Sequence, residues 1–232
     1  MVEIIGPTGV GKSTINRNLM QIWDESSPWI SFETWMQQRD TFTFPFSETD
    51  ITAGLRFLQL YPNYLPDFRK IDSQNKNVEN WFIRRKRELQ HFKVLCDVQL
   101  FQEIYPKGKS DYTYCIYDEG IIFKTFNRVD IEQHKDVIRN LLDTFPLPGV
   151  VIFVDAPSDI IAERAFEREK TAPVHRHKNQ LEIHQDIIHQ KKRFYNLAQI
   201  LEEKGISVYR IDATDTPENA AYKITELLNS HK

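Results

Sequence analysis

The sequence predicts an α/β three-layer sandwich with a mostly parallel central sheet and a helical lid. Three observations carry the prediction. A short apolar segment runs into a glycine-rich loop and then a helical pattern; later apolar runs alternate with helical periodicity; and residues 150–154 are five apolar residues in a row, which only a strand covered on both faces accommodates.

Taken in order, Val2–Ile5 is apolar except for Glu3 and reads as a buried strand. Gly6, Gly9 and Gly11, three of the eight glycines in the chain, make the loop that follows. Residues 13–25 carry Ile15, Leu19 and Ile22 at helical spacing, with Pro28 beyond. Residues 29–32 suit a second strand. Residues 51–61 suit a helix that Pro62 and Pro66 are expected to break. Residues 78–105 contain neither proline nor glycine and place Trp81, Leu89, Phe92, Cys96 and Phe101 near one-turn intervals, which predicts a long amphipathic helix.

Residues 112–117 predict a central strand that delivers Asp118, Glu119 and Gly120 at its carboxyl end. A helix over 131–145 precedes the strand at 150–154. Ser158 opens a helix expected to reach Arg168. Another long helix runs to Glu203, with Leu181, Ile188, Leu197 and Leu201 among its apolar positions, and Gly205 ends it. A last strand at 206–211 and a helix from Pro217, a good first-turn residue, complete the chain. The expectation is a single phosphate-loop domain over 1–232, with segments 51–105 and 164–204 covering a substrate.

Composition narrows the function. The 232 residues hold 30 Lys and Arg against 33 Asp and Glu, so the formal charge is -3 and nothing attracts nucleic acid globally. Only Cys96 and Cys115 are present, without metal-ligand spacing, which predicts buried thiols in a reducing compartment rather than a cross-linked secreted scaffold. No apolar run approaches membrane-spanning length and no signal peptide is evident, so the expected location is the cytoplasm, with no membrane partner.

The most specific motif is Gly6-Pro7-Thr8-Gly9-Val10-Gly11-Lys12-Ser13-Thr14. Crowded phosphate oxygens need donors without steric obstruction; glycines let backbone N–H groups point inward, and the following helix adds its positive end. Lys12 reaches the β- and γ-phosphates, and the Ser13 hydroxyl ligates magnesium. A generic turn would not require Lys12 and Ser13 at this offset. Magnesium held by a loop serine and water takes a carboxylate from a neighbouring strand end, and Asp118 occupies that position. Glu119 is expected to face differently and to contact substrate, unless both acids merely cap the next helix.

Glu33, after the second strand, is a candidate to orient or deprotonate an acceptor hydroxyl; whether Glu33 or Asp118 takes the proton stays open. Arg164 and Arg168 lie four apart on one helical face and suit a transferring phosphoryl group, with Lys170, Arg176 and Lys178 as extensions of the same cover. Pairing with Glu163 and Glu167 is the alternative. Arg84 to Arg87 spread around a helix and read as a solvated face. His175 and His177 lack a metal-ligand pattern.

On these residues the chain resembles the P-loop nucleoside and nucleotide kinases, particularly the deoxynucleoside kinase and thymidylate kinase group. Residues 6–14 match the phosphate loop of that group, Asp118-Glu119-Gly120 is similar to its acidic strand-end motif, and Arg164 and Arg168 match its lid arginines. The resemblance implies that Asp212, Ala213 and Thr214 contact adenine. Departures are visible too: the acidic-arginine-serine and aspartate-arginine motifs are replaced by Asp118-Glu119-Gly120, and the segment around Glu33 lacks the usual proline.

The expected activity is therefore an ATP-dependent phosphotransferase using Mg2+, acting on a small metabolite, foremost a nucleoside or nucleoside monophosphate. The alternatives are a GTP-hydrolysing switch, for which the Asn-Lys-x-Asp guanine motif is missing, a binding-only fold, or another P-loop transferase. The apolar faces of the long helices suit an internal bundle or a homodimer equally.

Overall fold

The structure is a computed structural model that describes residues 1–24, 26–32, 34, 48–73, 92–93, 95–99, 114–127, 129–144, 146–167, 175 and 178–230. Two compact units divide the chain: Met1–Thr34, Tyr112–Glu119 and Pro148–Lys232 form the first, Trp35–Asp111 and Gly120–Leu147 the second.

The first unit is built on five strands: β1 (Val2–Ile5), β2 (Trp29–Ser31), β3 (Tyr114–Asp118), β4 (Val150–Asp155) and β5 (Ser207–Asp212). They pair in the order β2-β3-β1-β4-β5, and every pairing is parallel. The register sets Ile4 beside Asp118 and Ile152, and Asp155 beside Asp212, so the carboxyl ends of β1, β3, β4 and β5 lie along one edge. Ligands of open parallel sheets bind at that edge, where strand order reverses.

Among the described residues of this unit, the helices flanking the sheet include α1 (Lys12–Ile22), α6 (Ser158–Phe166), α7 (Gln180–Glu203) and α8 (Pro217–Ser230). Alternation along β4 assigns the layers. Val150, Ile152 and Val154 join Ile15 and Leu19 of α1 and Ala220, Ala221, Ile224 and Leu228 of α8 in one buried cluster, which also takes in Ala162 and Ala165 of α6 and Ile183 and Ile187 of α7. Phe153 points the other way, its ring centroid 6.4 Å from Phe194 and 5.1 Å from Tyr195 of α7. Each fully buried large apolar side chain contributes roughly 1.5–3 kcal/mol.

Helix α7 starts where its chemistry dictates. Asn179 accepts from the Glu182 amide at 2.9 Å while Glu182 accepts from the Asn179 amide at 2.8 Å, a reciprocal capping box. Its buried face is Ile183, Ile187, Gln190, Phe194, Leu197, Ala198 and Leu201. Leu197 and Leu201 belong to this face, whereas Leu181 and Ile188 are 66% and 47% exposed. The stripe through 183, 187, 190, 194 and 197 follows the 3.6-residue period, and Leu181 and Ile188 fall outside it.

The second unit contains α2 (Glu48–Leu60), α3 (Tyr64–Ser73), a helical stretch at 92–93 and 95–99, α4 (Ile121–Phe126) and α5 (Lys135–Leu142). Tyr64 organises part of it: its hydroxyl lies 3.0 Å from the Thr125 hydroxyl, and its ring packs edge-on to Phe57. Pro66 does not break this region. It is the third residue of α3, in the first turn, where a missing N–H costs no intrahelical bond.

The remaining expectations at 78–91 and 100–105 lie outside the described residues. Cys96 and Cys115 are both buried and are not joined in a disulfide. Among the described residues no helix is long and apolar enough to cross a membrane.

Candidate functional site

The loop between β1 and α1 is held from three sides. Gly6 has φ +151°, and a Cβ built there would stand 2.3 Å from the Val154 carbonyl oxygen of β4. Gly9 has φ +94°, and its Cβ would meet the Ala165 Cβ of α6 at 3.0 Å. The Thr8 amide donates to Gln190 Oε1 of α7 at 2.9 Å. Glycine at positions 6 and 9 is therefore a packing requirement as well as a conformational one. Val10 is buried beneath the loop, and the Gly11 carbonyl accepts from the Thr14 and Ile15 amides at 3.0 and 2.9 Å, starting α1.

Lys12 is 5% exposed. Its ammonium donates to the Gly6 and Pro7 carbonyls at 2.9 and 3.1 Å, so the cation sits inside its own loop. Glu119 Oε1 approaches it at 3.7 Å. A backbone turn makes this possible. The Glu119 amide donates to the Ile4 carbonyl at 3.4 Å, continuing the β3 pairing, and the residue then adopts φ 54°. Left-handed geometry at a non-glycine residue costs on the order of 1–3 kcal/mol and marks a constrained position. Asp118, one residue earlier, keeps its Oδ1 buried.

Of the two acids, Glu119 is the one brought to the lysine, a placement that sequence reasoning assigned to neither. Ser13 is exposed at the first turn of α1.

The loop after β5 is organised around Ala213. Its amide donates to the Asp155 carbonyl at 2.8 Å, and its own carbonyl accepts from Arg164 Nη1 at 2.7 Å. Asp212 accepts from the Thr214 amide at 2.8 Å, and that bond holds its carboxyl below the usual carboxylate range. Arg164 therefore ties α6 to the 212–214 loop, two elements proposed separately from the sequence. Arg168 and Glu33 lie outside the described residues, as do Lys170, Arg176, His177 and residues 84–87.

Lys178 bonds Asp186 at 2.8 Å, and the buried His175 places Nε2 3.5 Å from the same carboxylate. Lys191 and Tyr195, successive turns of α7, both reach Asp155: Lys191 at 3.0 Å, and Tyr195 through a hydroxyl bond of 2.5 Å that raises the phenol above its ordinary pKa. Among the described residues no three His, Cys, Asp or Glu side chains converge as a metal cage. Magnesium bound through one serine, one carboxylate, water and phosphate oxygens needs no such cage, and the hard oxygen donors Ser13 and Asp118 fit that cation.

No family model and no curated protein matches the chain. The M. mycoides deoxyadenosine kinase, solved with the products dCMP and dCDP bound, superposes with a TM-score of 0.51 at 14% identity, covering 99% of this chain and 98% of that one. The likeness is one of fold, a parallel five-stranded sheet flanked by helices. Shikimate kinase from Bacteroides thetaiotaomicron is a looser likeness, with a TM-score of 0.42 at 14% identity over 98% of this chain and 97% of that one.

Proposed function

We propose that the chain is an ATP-dependent kinase that transfers the γ-phosphoryl group to a small metabolite, foremost a nucleoside or nucleoside monophosphate. The observation that carries this reading is the glycine loop with its buried lysine. An ammonium enclosed by backbone carbonyls, at the positive end of α1 and beside a strand-end carboxylate, is poised to exchange carbonyl oxygens for phosphate oxygens. A structural lysine on a surface helix would have no reason to fold inward.

In this reading Gly6, Thr8, Gly9, Val10, Gly11, Lys12, Ser13 and Thr14 hold the triphosphate. Asp212, Ala213 and Thr214 meet the adenine. Ser13 and Asp118 would hold magnesium, which when bound offsets charge on the phosphate oxygens. Arg164 and Arg168 stabilise charge during transfer, and Glu33 orients the acceptor hydroxyl or takes its proton. The chain works as one domain over 1–232, with segments 51–105 and 164–204 excluding the water that would compete as acceptor. The fold of the deoxyadenosine kinase relative supports a nucleoside-type acceptor. A cytoplasmic location accords with this substrate class.

The test is a product screen. Purified chain, Mg2+ and ATP or GTP are incubated with nucleosides, nucleoside monophosphates and sugars, and products are resolved by mass. Acceptor-dependent ADP formation with a phosphorylated product supports the proposal. Acceptor-independent GTP hydrolysis, or no turnover across the panel, overturns it.

A further inference from the structure

The phosphate loop is tethered by a residue far from it in sequence. Gln190 is 7% exposed on α7, and its Oε1 accepts from the Thr8 amide across 182 positions. Backbone amides of such a loop are its anion-binding instrument, so whatever fixes their direction fixes the cradle. Gly6 against β4 and Gly9 against α6 restrain the loop by contact alone. Gln190 restrains it by a directed bond, and that bond sets the orientation of the Thr8 peptide plane.

The same helix reaches three other points of the unit. Asp186, one turn before Gln190, binds Lys178 and approaches His175. Lys191, the next residue, donates to the Ala156 carbonyl and pairs with Asp155 at the end of β4. Tyr195 adds the second contact to Asp155. Ile187 and Phe194 flank Gln190 in the buried stripe. A core position between two apolar residues has no packing need for an amide, and burying one without a partner would be unfavourable. Its use lies in the oxygen given to Thr8.

We propose that Gln190 is a positioning residue of the phosphate loop, holding the Thr8 amide so that the loop is preorganised for a triphosphate tail. The inference rests on the donor reading above and deepens it, because it transfers part of the donor affinity from the loop to α7. Gln190 need not touch the nucleotide to act this way.

The experiment uses the full chain and Gln190→Met, which keeps length and fills the core but supplies no comparable acceptor. Three readouts are taken: MgATP affinity by titration calorimetry, hydrogen exchange at the Thr8 amide without nucleotide, and the melting curve. Gln190→Met is expected to weaken MgATP by about tenfold, the effect of one lost hydrogen bond and a misdirected donor. Thr8 exchange should accelerate while cooperative melting persists. Gln190→Asn, which withdraws the oxygen by one methylene, is expected to give the same two changes and serves should the Met variant not fold. Lys191→Met is the neighbouring control and should leave Thr8 exchange at the wild-type rate.

A side chain that only fills space would let Met substitute with neither affinity nor exchange altered. That result, in a wild-type protein that does bind MgATP, overturns this inference alone. Wild-type protein with no saturable MgATP binding overturns the donor reading and this inference with it.

Discussion

Placing alanine at Gly6 and, separately, at Gly9 tests whether the loop is held by contact. Both residues have positive φ, so both variants incur backbone strain of about 1–2 kcal/mol. The steric terms differ. At position 6 the new methyl would lie 2.3 Å from a backbone oxygen of β4, which cannot retreat without disturbing the β1–β4 ladder. At position 9 it would lie 3.0 Å from the Ala165 side chain, and α6 needs to yield only a few tenths of an ångström. Overpacking typically adds about 1–3 kcal/mol, with Gly6→Ala at the upper end and Gly9→Ala at the lower. The totals are about 4 and about 2 kcal/mol. For a chain of this length each kcal/mol shifts the melting temperature by roughly 2–4 °C, so the variants should melt about 8–16 °C and 4–8 °C below the parent. Far-UV circular dichroism without nucleotide measures both. If Gly9→Ala melts at or below Gly6→Ala, the three-sided clamp on the loop is wrong.

Other outcomes follow from the same geometry. Lys12→Ala should weaken MgATP by about 100-fold, the loss of charge-assisted bonds to phosphate, in a titration where the parent saturates. Asn179→Ala removes the capping box of α7 and should cost about 1 kcal/mol in urea unfolding. Tyr195→Phe deletes the bond to Asp155 and should cost about 1 kcal/mol at neutral pH. Because that bond raises the phenol above its ordinary value of 10.0, its contribution is complete below pH 10 and is lost as pH rises through the folded value; Tyr195→Phe should lack this alkaline decline.

Much of this architecture was legible because its causes are local. Five apolar residues in a row announced β4; the glycine loop and Pro217 each mark a boundary through backbone chemistry acting within a few residues. Pro66 misled because a proline signal does not say whether it ends one helix or opens the next. Helix α4, six residues containing Ile121, Ile122, Phe123 and Phe126, is too short to display a period. Leu181 and Ile188 show that an apolar side chain alone does not state the helix phase. In the site, the offset from Gly11 to Lys12 and Ser13 was readable, whereas Glu119 meeting Lys12 and Gln190 meeting Thr8 depend on pairing distant segments. Gln190 lies in phase with Ile187 and Phe194 on its helix, but the local sequence does not say which distant amide it meets.

The strand order carries a kinetic consequence. β1 pairs with β3 and β4, whose partners for Val2 are Ile116 and Val150. The most amino-terminal strand thus waits for hydrogen-bonding neighbours more than a hundred positions downstream, while β4 and β5 can zip across a shorter excursion. Ribosomal synthesis would deliver the glycine loop long before the carbonyl that Gly6 abuts exists, leaving it shapeless until Val154 arrives. Distant closures of this kind slow assembly, so the nucleotide cradle should be among the last features to mature.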